Sequence, residues 1–159
     1  MDFRLASRSL ASLVALCASL TVSTVFAAKC PNVQFVLDRS GSMSASVPGA
    51  GAGATRWTVA KVAINKVIDK WDGQFPIGIS IFPPIGGSGC GSQLVTPPDY
   101  NTKAKIKMAI DANGPSGGTP SGSAMRDAQM IKELRDPDRK QFVVLITDGG
   151  PGCSGEPDS

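Results

Sequence analysis

The sequence predicts an α/β fold: a three-layer sandwich with a mainly parallel central sheet. Three observations carry this. VQFVL (33–37), PIGISIF (76–82) and QFVVLIT (141–147) are near-continuous apolar runs, which is how strands buried on both faces of a helix-covered sheet read. The segments between them repeat apolar residues every three or four positions, the period of a helix with one buried face. The resulting order, β, α, β, β, α, α, β, is that of a layered α/β domain.

Residues 1–28 are set aside before the fold is built. Arg4 and Arg8 precede the apolar run LASLVALCASLTVSTVFAA, which exits through Val25, Phe26 and Ala27. This reads as a secretory signal peptide of bacterial type, cleaved after Ala27 or Ala28. A membrane anchor is the competing reading, but Ser12, Ser19, Thr21, Ser23 and Thr24 interrupt the run. The expected location is therefore secreted or periplasmic/cell envelope, with no stable membrane span after cleavage. The rest, 29–159, has the length of one ordinary domain, and a chain that is 42% hydrophobic has material for a core. It would keep 14 basic against 12 acidic side chains, a balance that gives no reason to expect nucleic acid. Lys103, Lys105 and Lys107 alternate instead of lining one helical face, so they read as solvated surface. Cys17 leaves with the signal, and Cys30, Cys90 and Cys153 remain, an odd number. Lys29 and Leu16 are poor residues to precede a lipid-anchored cysteine. Nothing in the sequence sets an oligomeric state.

The first strand, 33–37, runs directly into Asp38. After it VPGAGAGAT (47–55) reads as a flexible glycine and alanine loop. The helix that follows, 55–71, places Trp57, Ala60, Ile64, Val67 and Trp71 on one face and Lys61, Asn65, Lys66, Asp69 and Lys70 elsewhere. The second strand, 76–82, is expected to pair with QLVT (93–96) as a hairpin across the turn GGSGCGS. A weaker helix spans about 102–112 through Ile106, Ala109 and Ile110. Another starts near Pro120, a favoured first-turn residue, and carries Ala124, Met125, Ala128, Ile131 and Leu134 until DPD (136–138) stops it. There is no internal repeat, and the tail GGPGCSGEPDS carries neither strand nor helix signal.

Much chemistry is excluded. Without a histidine there can be no Ser-His-Asp or Cys-His arrangement and no histidine-ligated zinc. Gly49, Gly51 and Gly53 lack both the spacing and the lysine of a phosphate loop. Oxygen chemistry is left. Asp38 ends one strand, with Ser40 and Ser42 two and four residues on, so a tight loop can aim a carboxylate and two hydroxyls at one point. Asp148 ends the strand 141–147. If those strands are neighbours, about 4.8 Å apart, both carboxylates emerge side by side, and two like charges there call for a cation. Thr119 stands just before Pro120, where its hydroxyl either caps the helix or points at the same place.

DRSGS (38–42), GGTP (117–120) and ITDG (146–149), in this order, resemble the metal-ion-dependent adhesion site of von Willebrand factor type A domains. The family pattern is Asp-x-Ser-x-Ser, then a threonine, then an aspartate, and all five positions match. The resemblance runs from about Cys30 to the end of the chain. It implies that Ser40, Ser42 and Thr119 bind a divalent ion directly and that Asp38 and Asp148 act mainly through bound water. A hard ion held by oxygens is Mg2+, with Mn2+ or Ca2+ as alternatives. Neutral hydroxyls leave it electrophilic, so it takes an outside ligand, a Glu or Asp carboxylate of a partner protein. The resemblance also puts the strand of Asp38 between strands 76–82 and 141–147 and makes the chain a binding module, not an enzyme.

The family sheet normally has six strands, whereas four are read here, so 29–159 is expected to be a domain incomplete at its C-terminus, its last strands missing and strand 141–147 left as an open edge. Cys90 in the hairpin turn and Cys153 after Asp148 both fall at the metal-bearing edge and could bridge. Cys30 starts the first strand at the opposite edge, up to roughly 26 Å from Asp38, so bridging it to either would need a large detour. Two other functions compete with the adhesion module. One is a metal-dependent phosphate-transferring enzyme with Asp38 as nucleophile, although haloacid-dehalogenase-like enzymes carry a second aspartate where this chain has Ser40. The other is a non-functional fragment of the family domain.

Overall fold

The computed structural model describes residues 29–87, 89–150 and 152–153, so residues 1–28, expected from the sequence to be a signal peptide, lie outside the described residues. Four strands, β1 (Asn32–Asp38), β2 (Ile77–Phe82), β3 (Gln93–Asp99) and β4 (Gln141–Ile146), form one sheet in the order β3-β2-β1-β4. β1 pairs parallel with both β2 and β4, and β3 runs antiparallel to β2. The helices are α1 (Arg56–Trp71), α2 (Lys103–Asp111) and α3 (Ser121–Gln129). The architecture is the expected three-layer α/β sandwich with a mostly parallel sheet.

The period of two along the strands divides the core between the two faces. Phe35, Leu37, Ile77, Ile79 and Ile81 pack with Trp57, Ala60, Ile64 and Ile68 of α1 and with Ile106 and Ile110 of α2. Val36 and Phe82 face the other way and meet Ala124 and Ala128 of α3 and Ile131. Each large aliphatic side chain buried in this way contributes about 1.5–3 kcal/mol. α1 begins with a capping box, in which the Thr55 hydroxyl accepts from the Thr58 N–H and the Thr58 hydroxyl from the Thr55 N–H. At Gly78 a Cβ would lie 2.5 Å from the Pro98 nitrogen and 2.6 Å from the Pro97 carbonyl carbon and would collide with the Gln34 side-chain amide, so only glycine lets β3 cross there.

Two elements differ in extent from the expectation. β3 continues from 93–96 through Pro97 and Pro98 to Asp99. It lies at the edge of the sheet and its pairing with β2 is irregular between Ile77 and Ile79, so missing proline N–H groups are tolerated. The helix after Pro120 ends at Gln129 instead of running on to Leu134. Ile131 turns extended to enter the core, the Arg135 guanidinium donates to the Gln129 and Met130 carbonyls at 3.2 and 2.8 Å, and a 3-10 turn follows over Lys132–Arg135. The loop 47–55 is closed at its base, where Ser46 bridges Thr55 and the Val47 N–H donates to the Ala54 carbonyl at 3.0 Å.

Among the described residues β4 has a neighbour on one side only, and Phe142, Val143, Val144 and Leu145 are 38–49% exposed.

Candidate metal centre

The β1–β4 pairing runs in register up to Leu37 opposite Ile146, which brings Asp38 and the residues after β4 to one edge of the sheet. Asp38 is fully buried. Its Oδ1 accepts the Ser40 N–H at 2.6 Å, a local turn that aspartate forms readily, and its Oδ2 accepts the Thr147 hydroxyl at 2.6 Å. A carboxylate taken out of water without such donors would cost several kcal/mol. Beyond Ser40 the chain makes a 3-10 turn over Gly41–Ser44, anchored by the buried Met43 side chain and by the Ser44 hydroxyl donating to the Gly41 carbonyl at 2.7 Å.

That turn aligns a row of oxygens. The Ser40 and Ser42 hydroxyls are 2.9 Å apart, and the Ser42 hydroxyl donates to Asp148 Oδ1 at 2.8 Å. Asp148 Oδ2 pairs with Arg56 Nη1 at 2.5 Å. Burial alone would raise the Asp148 pKa, but the Arg56 guanidinium and the Ser42 hydroxyl outweigh it and hold the carboxyl below its ordinary value. Arg39, between Asp38 and Ser40, is itself buried, and burial lowers its guanidinium pKa.

Thr119 joins this group through its main chain. The loop before α3 is fastened to the β1 loop by Ser116 N–H donating to the Arg39 carbonyl at 2.6 Å and by Gly41 N–H donating to the Gly117 carbonyl at 3.0 Å. On its other side the Thr119 carbonyl accepts the Gly152 N–H at 3.0 Å. The cap of α3 is Pro120, with no side-chain hydrogen bond, so the Thr119 hydroxyl does not cap that helix. Next to Gly152, Cys153 forms a disulfide with Cys90, the pairing anticipated from their common edge, while Cys30 is free and exposed. The bridge ties the β2–β3 turn to the segment after Asp148.

Asp38, Ser40, Ser42 and Asp148 thus form one hydrogen-bonded chain, with Thr119 in the adjoining loop. Among the described residues no three His, Cys, Asp or Glu side chains cluster, so an ion here would depend on hydroxyls. The spacing suits one. Adjacent ligands of an octahedral ion with bonds of about 2.1 Å lie about 3 Å apart, and the oxygens from Ser40 to Asp148 are separated by 2.9 and 2.8 Å. Two participants escaped the sequence reading. Thr147 carried no signal beyond standing next to Asp148. Arg56 carried one, a cation at the first position of a helix, where the backbone dipole disfavours it.

A sequence profile for the von Willebrand factor type A domain matches residues 33–151. The uncharacterized protein YwmC of Bacillus subtilis (strain 168) is 26% identical over 140 residues, which cover 82% of this chain and 60% of that protein. Among solved structures, an uncharacterized membrane spanning protein from Vibrio fischeri superposes with a TM-score of 0.54 at 21% identity, over 69% of this chain and 52% of that one. The PilB minor pilin from Streptococcus sanguinis superposes with a TM-score of 0.56 at 20% identity, over 76% and 30% respectively. These two likenesses are of fold, and the chain spans about half or less of each solved neighbour and 60% of YwmC. The match over residues 33–151 assigns the chain to a family: it belongs to the von Willebrand factor type A domain family.

Proposed function

We propose that this chain is a non-enzymatic, exported binding module that holds a divalent cation, Mg2+ first and Mn2+ or Ca2+ as alternatives, and through it an acidic group of a protein ligand. Domains of this family generally mediate protein–protein interaction. The observation that carries the reading is the row of oxygens from Ser40 through Ser42 to Asp148, spaced at 2.9 and 2.8 Å, above the buried Asp38. Ser40, Ser42 and Thr119 would supply the neutral oxygens, and Asp38 and Asp148 the charge behind them. The ion supplies a hard electrophilic centre, and a chain that surrounds it mainly with hydroxyls leaves its charge to be met by a carboxylate from outside. The Cys90–Cys153 bridge is compatible with an oxidising compartment outside the cytosol, and no helix among the described residues is long and apolar enough to cross a membrane.

Calorimetric titration of the purified chain with Mg2+ tests this. Heat fitting one site is expected, and Ser42→Ala, a change at an exposed side chain, should remove it. A folded chain that gives no heat would overturn the reading.

A further inference from the structure

Arg56 stands where helix electrostatics disfavours it. It is the first residue of α1, facing the partial positive charge of that end, and no acidic residue in the first turn offsets it. Its guanidinium reaches instead to Asp148 and pairs with Oδ2, in a contact where the carboxylate is 8% exposed and the guanidinium 44%. The other Asp148 oxygen accepts from Ser42, the hydroxyl that continues to Ser40. One carboxylate is therefore held between the oxygen row and a cation that the chain itself supplies. A residue that breaks a local rule and is satisfied only at a candidate site points to a role in that site.

We propose that Arg56 is a resident competitor of the divalent ion. It holds Asp148 while no ion is bound, and an ion entering the row must share that carboxylate against the charge of the guanidinium. The inference rests on the metal reading above and adds to it the residue that sets the affinity. Two consequences follow from charge alone. Arg56 weakens divalent binding, and it keeps the edge after β4 closed onto the β1 loop in the ion-free protein. A unit positive charge one carboxylate away from a divalent ion, screened as in water, weakens binding about tenfold.

The test compares the unaltered chain with Arg56→Gln, which removes the charge, and Arg56→Lys, which keeps it. Each is titrated with Mg2+ by calorimetry at low ionic strength, and melted in EDTA and in Mg2+. Arg56→Gln should bind Mg2+ about tenfold more tightly than the unaltered chain, and the gap should narrow at about 0.5 M salt, where exposed charges are screened. Arg56→Lys should stay close to the unaltered chain. In EDTA, Arg56→Gln should melt at lower temperature and gain more from Mg2+ than the unaltered chain does. Equal or weaker binding by Arg56→Gln, with the unaltered chain still binding, overturns this inference and leaves the metal reading standing. Silence from all three chains overturns both. A variant folded only in Mg2+ also supports it, and one unfolded in EDTA and Mg2+ alike overturns it, since a competitor is dispensable once the ion is present.

Discussion

Replacing Thr147 by valine removes one hydroxyl from beneath the site and keeps the shape of the side chain. That hydroxyl donates at 2.6 Å to Asp38 Oδ2, on a carboxylate with no solvent exposure whose other oxygen is served by the Ser40 N–H at 2.6 Å. A hydrogen bond to a charged group is worth about 1.5–3 kcal/mol, and its loss leaves one buried carboxylate oxygen unserved. Thr147 itself is exposed, so water can reach part of the gap, which places the expected cost near the middle of that range. A loss of about 2 kcal/mol in a domain of this size lowers Tm by roughly 6–10 °C. Thermal melts and urea titrations in EDTA would measure it, with Thr147→Ser as the control that keeps the donor and should cost under about 1 kcal/mol. Because Asp38 also orients the Ser40 turn, the valine variant should bind Mg2+ more weakly than the serine variant. If valine costs no more than serine, Thr147 does not support Asp38 and the account of the buried carboxylate is wrong.

Two further outcomes are expected. Gly78→Ala places a methyl group 2.5 and 2.6 Å from the main chain of Pro98 and Pro97, so it should cost about 3 kcal/mol or more and lower the urea midpoint by about 1.5 M; a midpoint within about 0.3 M of the parent chain would show that β3 can give way. Reducing the Cys90–Cys153 bridge, which spans 63 positions in sequence, should cost about 4 kcal/mol in the chain-entropy picture and also weaken Mg2+ binding, because Gly152 beside it holds the Thr119 carbonyl. Unchanged Mg2+ affinity in a Cys90→Ser, Cys153→Ser double variant would separate the bridge from the site.

The parts of this fold that could be read from the sequence are those written in period and in local motif. Trp57, Ala60 and Ile64 recur at helical spacing and are buried in α1, and the runs at 33–37, 76–82 and 141–147 are three of the four strands. Asp38, Ser40 and Ser42 sit in one loop, so their proximity follows from the chain, and Asp148 joins them once β1 and β4 are neighbours. The parts that could not be read depend on contacts between distant residues. The helix after Pro120 has an apolar period that continues past Gln129, and only the pull of Ile131 into the core and the hold of Arg135 on the last carbonyls break it. The hairpin strand over 93–96 is legible, but its continuation through Pro97 and Pro98 to Asp99 is not, because prolines argue against a strand until its place at the edge is known. Thr147 and Arg56 act across separations of 109 and 92 positions, which no local pattern encodes.

The charges around the candidate site are consistent with the reading proposed for it. Asp38 and Asp148 are the acidic side chains of the oxygen row, and the Arg56 guanidinium is paired to Asp148. One of the two carboxylates is thus offset by a guanidinium group before any ion arrives. Hydroxyls add dipoles but no charge, so a divalent ion drawn into this row would meet one net negative charge with its two positive ones. The charge left over would then be met from solution, and a carboxylate offered by a partner does so while completing an oxygen shell. On this account ion and ligand strengthen each other's binding, by the reciprocity that any such coupling must obey. Arg56 tunes how strongly, because every step that loosens its hold on Asp148 returns one negative charge to the ion and reduces what the outside carboxylate must supply.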